Sequence, residues 1–258
     1  MATTAFAADI NTYKPAAEPL PPERKLELSA NVALTTDYVF RGISQTDENA
    51  AVQGGFDLTY GSFYAGVWAS SLDFGGADTN GDGIADNDIA DIEIDWYAGF
   101  TKSWNSVDFD LGVIYYTYPN AFDPAAELDF VEFKFGVSYS LWHNVTSGFT
   151  LYYSPDFTGE TGDTITTEST LEKSFGKGWA ISGLLGHLAN LDNNTVVGDL
   201  TDPDNDEYWY WNIGLSKTFY DEKFTADIRY WDTSADGCGA NLLFQCDERV
   251  VGTLKASF

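Results

Sequence analysis

The chain ends with the sequence Arg249-Val250-Val251-Gly252-Thr253-Leu254-Lys255-Ala256-Ser257-Phe258. Counted back from the last residue, every second position is apolar or glycine, and the positions between are polar except Val251. This is the two-residue period of a β-strand with one apolar face. An alternating strand that ends on an aromatic residue is typical of the closing strand of a bacterial outer-membrane β-barrel, where the barrel-assembly machinery also recognises it. We therefore predict that Leu254, Ala256 and Phe258 close such a barrel, although any antiparallel sheet can end in this way.

The composition agrees with a membrane barrel. Aromatic residues are 16% of the 258 residues, with 8 Trp, 15 Tyr and 18 Phe. Such an excess suits β-strands and the aromatic girdles of membrane barrels. Mean hydropathy is −0.22, and no run approaches the roughly 18 apolar residues of a transmembrane helix. A soluble β-sandwich or lectin-like domain is the alternative.

The net charge restricts the partners. At −27 it disfavours nucleic acid as a partner, because nucleic-acid binding needs a basic surface. The same charge favours attraction of cations, although it carries no information about the fold.

Twelve segments with two-residue alternation recur from residue 27 to the end, and amphipathic helix patterns are absent. Most are about ten residues long, which matches the length of a tilted strand that crosses a bilayer and exceeds that of ordinary globular strands. We predict an all-β fold, a single antiparallel transmembrane β-barrel of about twelve strands. The predicted strands are 27–38, 51–60, 63–73, 90–101, 107–117, 128–140, 146–154, 165–175, 179–188, 207–218, 223–232 and 248–258.

The connections between the predicted strands alternate in length. Bacterial barrels have short periplasmic turns and long outer loops. With an even strand number both termini lie on the short-turn side, so we predict an outer-membrane location with both termini periplasmic. The short connections are 61–62, 102–106, 141–145, 176–178 and 219–222, and the long ones are 39–50, 74–89, 118–127, 155–164, 189–206 and 233–247.

The polar face of the strands is expected to line the barrel interior. Carboxylates outnumber cations on that face, which predicts a narrow lumen that prefers cations. The alternative is that the same charges pair across the barrel and plug it, because barrels of this size hold little free space. The predicted lumen-lining residues are Asp57, Glu93, Asp95, Asp108, Asp110, Glu132, Lys134, Glu168, Glu172, Asp227, Arg229, Arg249 and Lys255.

The segment Leu28-Ser29-Ala30-Asn31-Val32-Ala33-Leu34-Thr35-Thr36-Asp37-Tyr38-Val39-Phe40-Arg41-Gly42-Ile43-Ser44-Gln45-Thr46 resembles the opening of TorF-family porins of proteobacteria. Residues 62–70 and 93–99 resemble the third and fourth strands of that family. The resemblance covers the chain from about residue 27, and it implies an outer-membrane location and a channel role without a defined substrate. We predict that Arg41 folds toward the acidic interior and fixes the first loop; the alternative is an exposed loop arginine.

One loop has the spacing of a calcium site. In residues 78–88, oxygen-bearing side chains alternate and glycine stands at the sixth position, as in a calcium loop of the EF-hand kind. The twelfth position is Ile89 instead of the usual glutamate, and a plain acidic loop is the alternative. The candidate Ca²⁺ ligands are Asp78, Asn80, Asp82, Ile84, Asp86 and Asp88.

The N-terminus and the two cysteines indicate export. Residues 1–7 end in a small-x-small pattern and are interpreted as the remnant of a signal peptide, and 8–26 as a proline-rich periplasmic segment before the barrel at 27–258. Cys238 and Cys246 lie in one predicted loop and would form a disulfide in an oxidising compartment. A metal pair is the weaker alternative, since no further ligand is nearby.

Three functions are considered. The leading one is a passive, narrow porin for small solutes or cations, and the second is a plugged structural or adhesion barrel that presents acidic outer loops. The third is a lipid hydrolase, whose chemistry needs a histidine beside a serine or a metal. The chain has two histidines, His143 in a short turn and His187 on a strand face opposite to Ser182. We therefore predict no enzymatic activity and no resident cofactor other than the candidate Ca²⁺.

Overall fold

The computed structural model describes residues 25–77, 80, 82, 86–122, 127–192, 206–235 and 245–258. Twelve strands pair in antiparallel order and the first pairs with the last, so the sheet is a closed barrel. The predicted fold class and strand number are confirmed. The strands are β1 (Leu26–Thr35), β2 (Ala51–Tyr60), β3 (Phe63–Ser71), β4 (Ile92–Trp104), β5 (Val107–Thr117), β6 (Phe130–Leu141), β7 (Val145–Phe157), β8 (Gly162–Gly176), β9 (Trp179–Asn190), β10 (Glu207–Phe219), β11 (Phe224–Thr233) and β12 (Arg249–Ser257).

The last strand closes the barrel. β12 pairs with β11 on one side and with β1 on the other, with Leu254 opposite Leu34 in the register. Beyond the strand, the Phe258 and Ala30 backbones exchange two hydrogen bonds, of 2.9 and 3.1 Å. Closure leaves no strand with a free edge, which is the condition for a sheet to exist in hydrocarbon.

The outer wall of the barrel is apolar. Large hydrophobic side chains are exposed at every second position of the strands, as in Leu111, Phe133 and Ile228. Aromatic residues concentrate near the two rims of this wall, where they form the girdles typical of membrane barrels. They include Tyr60, Trp104, Trp142, Phe175, Trp179 and Tyr220 at one rim and Tyr115, Trp209 and Trp211 toward the other.

The connections differ between the two ends of the barrel. At one end, here the short-turn end, they span 61–62, 105–106, 142–144, 177–178 and 220–223; at the other, the long-loop end, they span 36–50, 72–91, 118–129, 158–161, 191–206 and 234–248. The prediction of a long connection at 155–164 is wrong. There β7 and β8 continue through a register shift between Ser154 and Phe157, and four residues remain to join them.

Some predicted features lie outside the described residues. These are the signal-peptide remnant at 1–7 and all but the last two residues of the proline-rich segment at 8–26. Within the described ranges, no helix is long and apolar enough to cross a membrane.

Candidate functional site in the barrel interior

The first long-loop connection folds into the barrel. Val39–Phe40 pairs with Ile43–Ser44, and Arg41 and Gly42 form the two-residue turn between them. Both turn residues have positive φ, 51° and 86°, as a tight hairpin of this length requires. We name residues 39–44 the inner hairpin. Its Arg41 side chain is 4% exposed, so the tip of the hairpin is enclosed by the barrel wall.

Arg41 is held by a carboxylate of the opposite wall. Its Nη2 lies 2.8 Å from both Oε1 and Oε2 of Glu132 on β6, a residue that is fully buried. The guanidinium also lies 4.7 Å from the ring centroid of Phe40 and 5.2 Å from that of Tyr152. A buried, hydrogen-bonded ion pair of this kind is costly to break from one side, because the remaining charge has no partner.

Tyrosine hydroxyl groups complete the surroundings of Arg41. Tyr116 donates a 2.8 Å hydrogen bond to Glu132 Oε2, and Tyr210 donates one of 2.7 Å to Glu168 Oε1. Both carboxylates therefore accept bonds from neutral groups in addition to facing the guanidinium. This network lies inside the barrel, in the half that is nearer the long-loop end.

A second ion pair holds the base of the inner hairpin. Arg249 Nη1 on β12 lies 3.1 Å from Asp37 Oδ2, and the other Asp37 oxygen accepts hydrogen bonds from Ser44 Oγ and Thr46 Oγ1 at 2.7 and 2.9 Å. The Ser44 amide also donates a 2.9 Å bond to the Gln245 carbonyl oxygen. The first loop is thus tied to the last strand as well as to β6.

Two further carboxyl groups are buried beside the hairpin. Tyr38 packs edge-on against Trp68 and donates a 2.9 Å bond to Glu93 on β4. Burial, and after it the charge of Glu93, raise the pKa of the Tyr38 phenol, so the phenol remains a donor. Asp95 is fully buried two residues along the same face, where its carboxyl group interacts with that of Glu93. Such burial costs stability, which indicates that the interior is not optimised for stability alone.

The interior is more open at the short-turn end. We name this part the vestibule; among the residues that line it, Asp57, Asp110 and Arg229 are half-buried rather than buried. Asp57 accepts a hydrogen bond from Tyr97, and Asp110 accepts one of 2.7 Å from Tyr64 and pairs with Lys134. The vestibule therefore keeps polar groups in contact with solvent, in contrast to the packed half above it.

The predicted lumen residues all lie on the inward side of their strands, at different depths. Around the inner hairpin the structure brings together Arg41, Glu93, Asp95, Glu132, Glu168 and Arg249, which are buried. In the vestibule lie Asp57, Asp108, Asp110, Lys134, Glu172, Asp227, Arg229 and Lys255.

The sequence reasoning missed the tyrosines that bind these carboxylates. Their hydroxyl groups donate to inward carboxylates on other strands. The sequence contained a signal for three of them, because Tyr97, Tyr116 and Tyr210 stand on the polar face of their strands, where alternation otherwise places charged or small residues. The tyrosines are Tyr38, Tyr64, Tyr97, Tyr116 and Tyr210.

We predict that alanine is poorly tolerated at Gly42. A Cβ at this position would lie 3.0 Å from the Cβ atoms of both Thr233 and Tyr210, and the φ of 86° is itself unfavourable for a side chain. Gly61→Ala is the matched control, since its φ is 62° and nothing lies within 4 Å of the added Cβ. Gly42→Ala should lower the free energy of unfolding by about 1–2 kcal/mol more than Gly61→Ala, measured by urea unfolding in detergent. Equal losses would show that the hairpin tip is not tightly packed.

The candidate calcium loop is described in part. Asp78 and Ile84 lie outside the described residues. Asn80 donates a 3.2 Å bond to Asp86 and accepts a 2.9 Å bond from the Asp82 amide, and Asp88 belongs to a two-residue strand that pairs with Gly76–Ala77. In the described part of the chain, no three His, Cys, Asp or Glu side chains form a group suited to a metal ion.

Of the two cysteines, one belongs to the described residues. Cys238 lies outside the described residues, and Cys246 is buried with its Sγ 3.4 Å from the Ala235 carbonyl oxygen.

His143 is exposed in a short turn. The His187 ring lies 4.4 Å from that of Trp209 on the outer wall, with Nε2 3.4 Å from Glu207, whereas the Ser182 hydroxyl accepts a bond from Arg229 inside. No serine–histidine pair is formed by these residues.

The chain is similar to known proteins in sequence family and in fold. A model of the family Gcw_chp, described as bacterial protein of unknown function, matches residues 19–258. The barrel resembles the KdgM porin with a TM-score of 0.57 and 9% identity, covering 89% of this chain and 99% of that one. It resembles the NanC porin with a TM-score of 0.56 and 10% identity, covering 89% and 98%. No curated protein is significantly similar in sequence. At these identities the likeness establishes the porin-type fold alone.

Proposed function

The chain belongs to Gcw_chp, a bacterial family of unknown function, and we propose that it is a narrow outer-membrane channel in which the inner hairpin forms the constriction. The observation that carries the proposal is the contrast between the two halves of the interior. The half at the short-turn end is a vestibule whose charged groups are mostly half-buried or exposed, whereas Arg41 and its buried partners fill the other half. A barrel built only to be stable has no need of a half lined by solvent-accessible charged groups.

The passing solutes are proposed to be small cations or small neutral molecules. Carboxyl groups outnumber cationic groups on the inward face, and the vestibule cations Lys134 and Arg229 are paired with Asp110 and Asp227. Among the described residues, Asp108 and Glu172 have no cationic group within 4 Å. Unpaired carboxylates along a narrow path favour cations over anions.

Planar-bilayer conductance of the detergent-purified protein, under a salt gradient, tests the proposal. Discrete current steps with a reversal potential of the sign expected for cations are the predicted result. Silence from protein shown to be folded and inserted would contradict the channel and leave the plugged barrel.

The plugged structural or adhesion barrel remains the second candidate, favoured by one observation. Arg41 and Glu132 are buried as completely as core residues, so the inner hairpin is packed as a plug. On that view the acidic outer loops are the functional part, with Ca²⁺ held by residues 78–88 and a disulfide between Cys238 and Cys246. Both of these stay predictions, and so does the kinship with TorF-family porins.

The orientation and partners follow from the proposed membrane location. We propose that both termini are periplasmic, that the long-loop end faces outward, and that the β12 strand is the segment recognised by the barrel-assembly machinery. Enzymatic activity is not proposed, because His187 lies on the outer wall and Ser182 inside.

A further inference from the structure

Cationic side chains outside the interior lie at one end of the barrel. The six connections of the long-loop end contain no lysine, and their single arginine is the buried Arg41. The remaining lysines of the barrel lie on the last residues of strands, in turns, or just before β1, all at the short-turn end. They are Lys25, Lys102, Lys173, Lys177, Lys217 and Lys223. Outside the interior, the lysines of the barrel are therefore confined to the short-turn end.

Four of these lysines lie on or beside three neighbouring strands, β8, β9 and β10. Lys173 lies on β8, Lys217 on β10, Lys177 in the turn between β8 and β9, and Lys223 in the turn after β10. Lys173 pairs with Ile181 and Lys217 with Trp179 on the intervening β9, so their Cα atoms are about 12 Å apart. We name these four residues the lysine patch.

The lysine patch borders the apolar outer wall. Lys173 stands between Leu171 and Phe175 on the outward face of β8, and both neighbours are more than half exposed. The Lys217 ammonium lies 5.3 Å from the ring centroid of Trp179 on the same wall. Aromatic rings at a barrel rim mark the level of the lipid head groups, and lysine side chains extend along apolar surface to reach that level.

Carboxylates adjoin the lysine patch in sequence, since Glu172 precedes Lys173 and Asp221 and Glu222 precede Lys223, but the described ammonium groups do not pair with them. Lys173 contacts the His143 carbonyl oxygen and Lys217 contacts that of Lys177, so both ammonium groups meet neutral acceptors. Within the part of the chain that the structure describes, none of the four lysines pairs with a carboxylate within 4 Å. Ammonium groups at head-group level that are not engaged in such ion pairs are complementary to a phosphodiester.

We propose that the lysine patch binds the head group of an anionic phospholipid, such as phosphatidylglycerol, in the leaflet that surrounds the short-turn end. The ammonium groups of Lys173 and Lys217 contact the phosphate, while Trp179 and Phe175 contact the upper acyl chain. This inference rests on the proposed membrane location and does not depend on conduction.

Native mass spectrometry with equimolar phosphatidylglycerol and phosphatidylcholine tests the proposal. The parent barrel should retain phosphatidylglycerol preferentially. The preference should fall by about tenfold or more in Lys173→Gln/Lys217→Gln, because each lysine near an anionic head group contributes roughly a fivefold factor. The matched control is Lys25→Gln/Lys102→Gln, which removes the same charge from the same rim away from the patch. It should keep the preference, and circular dichroism should show that both variants are folded.

Four results would overturn the proposal. They are no preference in the parent, an equal loss in both variants, displacement of the lipid by millimolar inorganic phosphate, and stronger retention of lipid A than of phosphatidylglycerol. The third would indicate a site for free phosphate, and the fourth would place the patch in the opposite leaflet. Bilayer conductance of the same variants distinguishes the lipid site from the proposed channel. A variant that loses the lipid but keeps the conductance of the parent still has an intact channel.

Discussion

An Arg41→Ala barrel is expected to pass several-fold more current than the parent protein. The substitution leaves Glu132 buried without its cationic partner, and breaking a buried pair from one side costs roughly 3–5 kcal/mol. Since 1.4 kcal/mol is a factor of ten, the docked hairpin loses roughly two to three and a half orders of magnitude in population relative to an undocked one. Planar-bilayer recording should show larger or more frequent steps, and thermal unfolding should begin at lower temperature.

The paired variant Arg41→Ala/Glu132→Gln is the control for this experiment. It removes the orphaned carboxylate, while the amide still accepts the hydrogen bond of Tyr116, so stability should recover in part. Conductance should stay above that of the parent, because the guanidinium no longer fills the interior. Parent-like currents in both variants would show that the inner hairpin is not the obstruction.

Neutralising two vestibule carboxylates is expected to reduce cation selectivity by about fivefold. Asp108→Asn/Glu172→Gln removes two charges from the inward face that lack an ion-pair partner among the described residues. At roughly 8 Å in a water-like medium, two unit charges contribute about 1 kcal/mol to the energy of a passing ion. The permeability ratio of K⁺ to Cl⁻, measured at low salt in the parent and in the Arg41→Ala background, should fall accordingly.

A variant that loses two carboxylates outside the lumen is the matched control for the selectivity experiment. Asp221→Asn/Glu222→Gln takes the same charge from the turn 220–223 at the same end of the barrel. Its permeability ratio should stay close to that of the starting protein. If the two double variants change the ratio equally, net charge and not the vestibule sets selectivity.

The strands could be predicted from sequence because their signal is local. Apolar residues that face the lipid alternate with polar residues that face the lumen along each strand. The predicted bounds of 51–60 and 107–117 therefore agree with the structure to the residue. The stretch 63–72 is apolar on both faces and gave no clear alternation, yet it forms a wall strand with Tyr64 and Trp68 facing inward. Bounds failed where a bulge extended β7 beyond its alternating pattern.

The interior network could not be derived in the same way. Residue 41 meets residue 132, and residue 37 meets residue 249, across a closed sheet whose register is not visible in the sequence. Alternation indicates that a carboxylate points inward, but not which partner it meets or at what depth. The course of residues 36–50 depends on a few such contacts, and β1 therefore ends at Thr35 instead of continuing to 38.

The anchors of the inner hairpin also determine when it can form. Asp37 is made near the start of the chain, whereas Arg249, 212 residues later, belongs to the last strand. Backbone bonds between Thr36 and Gly252 and between Ser44 and Gln245 have the same long separation. Contacts between residues so far apart in sequence form late, because the chain between them must fold first. We therefore expect the base of the inner hairpin to reach its final place only when the last strand joins the first, whereas the contact of its tip with Glu132 does not need that strand.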